Sequence, residues 1–215
     1  MADQPTIRYA TRDGIPYHFY VGQETQSLTS AADVKEILAM IHELADYENA
    51  STSVHATEER LKRTLSFAPS AQPTNPGYAK TLLIRLPREP SNPDDKPEAV
   101  AGMALFFNNY STWRAKPGVY LEDLFVRPQY RKRGYGKMLI QTLAREVLLI
   151  DGGRLEWSCL KWNEPSLKFY RELGAREMSD WVGLRVDGEA LVKLATGDAP
   201  AISGNRCHKR TDSMK

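Results

Sequence analysis

Residues 120–136 read YLEDLFVRPQYRKRGYG, and this stretch decides how the chain is built. A β-branched and aromatic run carrying the adjacent acids Glu122 and Asp123 predicts a strand. It leads into the basic, glycine-punctuated turn Arg131–Lys132–Arg133–Gly134–Tyr135–Gly136–Lys137, which opens a helix. Such a turn aims several backbone N–H groups one way, at the positive end of a helix dipole, and suits a diphosphate. Gly134 and Gly136 are expected to take positive φ and let a ligand approach the backbone. A dinucleotide fingerprint would need a third glycine where Leu139 stands. A Walker loop would need glycine at Arg131 and a hydroxyl at Met138. A phosphate cradle one short strand from two acids points to a transferase that uses a phosphate-bearing carrier and acts on an amine.

Working outward, the helix spans Gly134 to Ile150 and buries Leu139, Ile140, Leu143 and Val147, with Asp151–Gly152–Gly153 as a stop and glycine as its left-handed cap. Leu155–Leu160 reads as a strand, a helix starts at Pro165 and ends at Leu173–Gly174, and Val182–Val186 reads as a last strand. Upstream, Ser30 is placed to cap a helix reaching Tyr47, with Val34, Ile37, Leu38, Ile41, Leu44 and Ala45 on one face. Thr57 precedes a short second helix. Tyr78–Leu86 and Ala99–Phe107 read as antiparallel strands around a proline-rich and acidic tip at Pro87–Pro97, and Ala68–Gly77 reads as a loop. Ile7–Thr11 and Ile15–Val21 flank Arg12–Asp13–Gly14 as a hairpin. The order of elements is α+β, with a mostly antiparallel sheet and a strand–helix–strand crossover. Domain lines follow at 1–26 for the N-terminal extension, 27–195 for a single domain and 196–215 for a disordered polar tail.

The 215 residues suffice for one domain with a sizeable core. A net charge of +2 gives no global field that demands nucleic acid, and no apolar run approaches the ~20 residues of a membrane span. The first residues lack the apolar core of a secretory signal, and the two cysteines, Cys159 and Cys207, form neither a disulfide framework nor a metal-ligand pattern. The expectation is a cytosolic or nuclear protein without a metal.

Asn163–Glu164–Pro165–Ser166, followed by Phe169–Tyr170 and Gly174, would alone be read as a helix cap with packed rings. Its order after the Arg-x-x-Gly-x-Gly turn resembles the GNAT superfamily of acetyl-CoA-dependent N-acetyltransferases. The likeness is closer to the branch of spermidine/spermine and thialysine N-acetyltransferases. Glu43–Leu44–Ala45–Asp46–Tyr47–Glu48, Tyr120–Val126 and Trp162–Ser166 match segments of that branch in order and spacing, over roughly residues 27–195. The resemblance implies the GNAT fold, with Leu124, Phe125 and Val126 lining the pantetheine arm of acetyl-CoA. Residues Arg131 to Lys137 would hold the pyrophosphate, and Asn163 and Ser166 would lie near the carrier. Tyr170 matches the general acid and Glu122 the general base, while Tyr47, Glu48, Asp123, Glu156, Asp180 and Trp181 match substrate-side positions.

Each role has a chemical reason. A departing thiolate must be protonated, and a phenol with an ordinary pKa near 10 keeps a proton to give at neutral pH. An alkylamine with a pKa of about 10.4 leaves about one molecule in two thousand neutral at pH 7, and a nearby carboxylate can take its proton through water as it attacks. The resemblance implies a homodimer and a small polycation or lysine-like acceptor, reached without an acyl-enzyme. Two other readings compete: a protein lysine or amino-terminal acetyltransferase, and a silent acyl-CoA-binding sensor. Specific nucleic-acid binding is disfavoured, because the basic triplet runs into glycines rather than aromatic platforms.

Overall fold

The computed structural model describes residues 6–9, 32–66, 77–86 and 99–197. Five strands form one sheet in sequence order: β1 (Thr6–Tyr9), β2 (Lys80–Arg85), β3 (Val100–Ser111), β4 (Lys116–Val126) and β5 (Leu155–Trp157). All neighbours are antiparallel except β4 and β5, which are parallel across the crossover helix. The expected α+β architecture is therefore present. β1 registers Ile7 against Ile84, so part of the stretch read as an extension is an edge strand of the main sheet. The second hairpin arm, Ser30, the Pro87–Pro97 tip and the tail beyond Gly197 lie outside the described residues, as does the Ala68–Gly77 loop up to its last residue.

Helix α1 (Ala32–Tyr47) and the short α2 (Glu58–Thr64) cover one sheet face. Val34, Ile37 and Met40 of α1 are fully buried against Leu83, Met103, Leu105 and Phe125. Thr57 caps α2 as expected, its Oγ1 accepting from Arg60 N. Helix α3 (Tyr135–Leu149) packs on the sheet through Leu139, Leu143 and Val147. Strand residues alternate faces, so Ala104 and Phe106 oppose Met103 and Leu105. Both faces of β3 are thus buried, which explains its near-continuous apolar sequence.

Several boundaries differ from the sequence reading. β3 and β4 run four residues further toward each other and meet in a tight turn at residues 112–115, where Ala115 takes φ +48. The left-handed residue after α3 is Asp151, at φ +51, rather than Gly152 or Gly153. The glycines serve close approach instead: a Cβ at Gly152 would stand 2.8 Å from the Val147 carbonyl oxygen. β5 stops at Trp157. Residues 182–186 form no strand, because alternation alone gives no ladder without a partner edge. A helix missing from the sequence reading, α5, covers Gly188–Thr196.

By compactness the chain divides into residues Met1–Phe169 and Tyr170–Lys215, with the border inside helix α4 (Glu164–Glu172). The second unit keeps the expected helix stop at Gly174, at φ +88, and an Arg171–Glu177 pair at 2.7 Å. None of its described residues is buried.

Candidate active site

The site grows from the way β4 ends. β4 pairs with β3 along its whole length, but with β5 only at Val119, Leu121 and the residue between them. From Glu122 to Val126 its second edge has no strand partner among the described residues. Arg127 N donates to Ala101 O on the β3 side, so by alternation the backbone groups of Leu124 and Val126 face the open edge. An extended amide-bearing ligand could add there as a strand does. Phe125 itself is buried in the α1 core, so its side chain is structural and what β4 offers a ligand is backbone.

A β-bulge sits at the start of this open edge. Phe106 registers with Leu121 and Leu105 with Asp123, which leaves Glu122 as the extra residue. Strict alternation would put Leu121, Asp123 and Phe125 on one face. The bulge instead puts Leu121 opposite Phe106, on the α3 side, while Asp123 and Phe125 lie on the α1 side. Glu122 is exposed and Asp123 half-buried at this switch.

The acids converge here. Burial pushes the Asp123 carboxyl up to about 6, and the nearby Glu122 and Glu48 carboxylates push it the same way. Burial also raises Glu48, at the end of α1. The Cys159 thiol is raised by burial and then by Glu48, which marks it as a poor nucleophile and places the segment after β5 beside the same cluster. Three carboxylates from α1 and β4 therefore share one electrostatic site, although Glu48 is more than seventy residues from Glu122 in sequence.

The turn before α3 has the form a diphosphate requires. Gly134 takes φ +83, and a Cβ there would meet nothing within 4 Å, so the position opens on space. No side chain caps α3, and its first intrahelical bond runs from Met138 N to Gly134 O. The amides of Tyr135, Gly136 and Lys137 precede that bond and lack helical acceptors. Gly136 is not in the left-handed region. An added Cβ there would sit in ordinary van der Waals contact with the Phe169 ring, at 3.4 Å. The second left-handed residue is Lys132, at φ +62. Lys132 and Lys137 are exposed. Arg133 folds back, donating to Gln129 O at 3.4 Å and lying over Tyr130 at 5.7 Å.

Arg131 behaves differently. Its Nε donates to Val126 O at 2.9 Å, and its guanidinium lies over the Tyr47 and Phe125 rings at 5.2 and 5.7 Å. Tyr47 donates through its hydroxyl to Asn163 Oδ1 at 3.2 Å and tilts against Trp162. The same Oδ1 accepts from Ser166 N at 3.4 Å, so Asn163 caps α4. Tyr47, read from sequence as a substrate contact, thus ties the end of α1 to the phosphate turn and to α4. Glu156 is held elsewhere: Asn109 Nδ2 donates to it at 2.7 Å and Arg154 pairs with it at 2.7 Å. The structure does not bring it into the acid cluster. Asp180, Trp181 and Tyr170 belong to the second unit. Asp180 and Trp181 are exposed and Tyr170 is half-buried.

Comparison with known proteins settles the class. The model of the acetyltransferase (GNAT) family matches residues 65–175, about half of the chain and the whole of the crossover and turn.

The chain belongs to the GNAT family.

It is an acetyltransferase, and acetyl-CoA is its co-substrate. The L-ornithine N5-acetyltransferase NATA1 of Arabidopsis thaliana is 33% identical to this GNAT enzyme over 192 residues, covering 76% of this chain and 84% of the relative. The thialysine N-epsilon-acetyltransferase of Bos taurus is 34% identical over 168 residues, covering 76% and 92%. An integron cassette protein of V. cholerae shares the fold with a TM-score of 0.59 at 20% identity, over 89% of this chain and 97% of its own. The open β4 edge and the uncapped start of α3 fit the pantetheine arm and diphosphate of the co-substrate.

Proposed function

We propose that this GNAT enzyme acetylates a primary amine on a small molecule bearing a second positive charge. The acceptor is a polyamine of the spermidine or spermine kind, or an amino acid of the ornithine or thialysine kind. One observation carries this reading: Glu48, Glu122 and Asp123 act on one another at the bulge where the open edge begins, where burial first, and then the Glu122 and Glu48 charges, lift Asp123 to about 6. Like charges this close are costly without a cation between them. A cationic acceptor relieves that repulsion, whereas a neutral one leaves it. The ornithine and thialysine acetyltransferases among the relatives support the same class.

In this proposal Glu48 and Asp123 hold the distal charge. Glu122, exposed at the bulge, takes the proton of the reacting ammonium through water. The nitrogen lone pair then bonds to the acetyl carbon, the nitrogen sheds its second proton to solvent water, and the carbon–sulfur bond breaks. Tyr170 gives its phenolic proton to the departing sulfur and recovers one from solvent. The Tyr170 assignment rests on the Asn163–Ser166–Phe169–Tyr170 spacing. Lys132, Lys137, Ser166 and the turn amides contact the carrier phosphates, while Asp180 and Trp181 keep a role toward the acceptor on the sequence resemblance alone. A homodimer in a reducing compartment, cytosol or nucleus, completes the reading. The exposed Val182, Leu184, Leu191 and Leu194 support an apolar contact.

The test is thiol release from acetyl-CoA with spermidine, ornithine, thialysine and a histone-tail peptide as acceptors. Turnover on one or more of the small cations, with little on the peptide, is expected. Preference for the peptide would overturn the acceptor class.

A further inference from the structure

The loop between β4 and the phosphate turn is fastened to α1 by Arg127, the residue that directly follows β4. The Arg127 side chain is mostly buried. Its Nε donates to both carboxylate oxygens of Glu43, at 3.0 and 3.1 Å, and its Nη2 donates to Glu43 Oε1 at 2.8 Å. Nη1 donates to Val100 O at 3.0 Å and forms an ion pair with Glu36 Oε2 at 3.0 Å. A planar guanidinium held by two carboxylates and a carbonyl has a fixed orientation, which an ammonium on a flexible stem would not reproduce.

The spacing of this contact gives it consequence. Glu36, Glu43 and Tyr47 fall on one stripe of α1, seven and then four residues apart. Arg127 and Arg131 are also four apart, and they meet Glu43 and Tyr47 in parallel. The segment leading into the diphosphate turn therefore lies along α1 and is pinned to it at two points. The end of α1 that receives the second pin carries Glu48, one of the acceptor-side acids.

We propose that Arg127 is a positioning residue that registers the acetyl-CoA turn against the acceptor end of α1. It touches neither substrate. It acts through Arg131 and the turn on one side, and through Glu43, Tyr47 and Glu48 on the other. Loosening it moves both half-sites relative to each other, so each is held less well for its own substrate. The inference rests on the proposed acceptor site.

The test compares the parent with Arg127→Lys and Glu36→Gln by steady-state kinetics, using an amine that the parent turns over. Each protein's thermal midpoint is measured alongside. Arg127→Lys keeps the charge but loses the bidentate fork, and is expected to raise KM for acetyl-CoA and KM for the amine together, by about tenfold each, the scale of one charge-assisted hydrogen bond. Glu36→Gln leaves Glu43 in place and should stay within about threefold. If Arg127→Lys does not fold, Glu43→Gln carries the same expectation, since the guanidinium keeps Glu36 and Val100 as partners. A folded variant with parental KM for both substrates overturns the proposal, and so does a lowered midpoint with both KM values unchanged. A parent that turns over peptide and no small amine would instead count against the acceptor class.

Discussion

Replacing Asp123 with Asn removes the carboxyl whose environment, among the described residues, most disfavours its charge. Its ordinary value of 3.8 is raised to about 6, first by burial and then by Glu122 and Glu48. A difference of this size corresponds to about 3 kcal/mol between the protonation states. Because the folded value lies above the unfolded one, the native protein binds the proton more tightly. The stabilisation from that proton is fully present below pH 4 and is lost as pH rises through 6. Above pH 7 the parent carries the whole penalty of a charged, crowded carboxylate, and the neutral amide does not. After relaxation around the charge, Asp123→Asn is expected to be more stable than the parent by about 1–3 kcal/mol at pH 8, with the difference shrinking toward zero near pH 4. Urea unfolding at one-unit steps from pH 4 to pH 8 measures this directly. Function should change in the opposite sense, with KM for a cationic amine rising at pH 8 while KM for acetyl-CoA stays within about twofold. A stability difference that is flat with pH, or that favours the parent at pH 8, would refute the crowded-acid account of the site.

Glu122→Gln should lower kcat by about 10²-fold, with the largest deficit at low pH where neutral amine is scarcest, and a parental pH–rate profile would remove Glu122 as the base. Tyr170→Phe should leave acetyl-CoA binding by calorimetry within about threefold while slowing turnover by about 10²-fold, and parental turnover would assign the acid elsewhere. Gly134→Ala meets no neighbour but must hold φ +83, so its cost is conformational, about 1–2 kcal/mol in urea unfolding, together with a raised KM for acetyl-CoA. Gly136→Ala faces only the Phe169 ring at 3.4 Å, and its stability should stay within about 0.5 kcal/mol of the parent.

Much of this protein was legible from local pattern. The helical period of Val34, Ile37 and Leu44, the cap at Thr57, and the glycine-bearing turn before a helix report themselves within a few residues. The physical forces behind them act over the same distance. The acids of the site could be named because the YLED segment and the end of α1 stand next to recognisable motifs. Val182–Val186 shows where such reading stops: its alternation is strand-like, but a strand is defined by the edge it pairs with.

What only the tertiary structure decided concerns pairings between distant segments. The register of β3 against β4 makes Glu122 a bulge, and that shift is set by strands whose facing residues come from both sides of a turn. Arg127 lies 84 residues from Glu43, and no local propensity links a loop arginine to a helix carboxylate across that span. Tyr47 meets Asn163 across 116 residues for the same reason. The chain's chemistry was written in its side chains; packing chose which of them would face one another, because charge and hydrogen bonding depend on distance in space and not along the backbone.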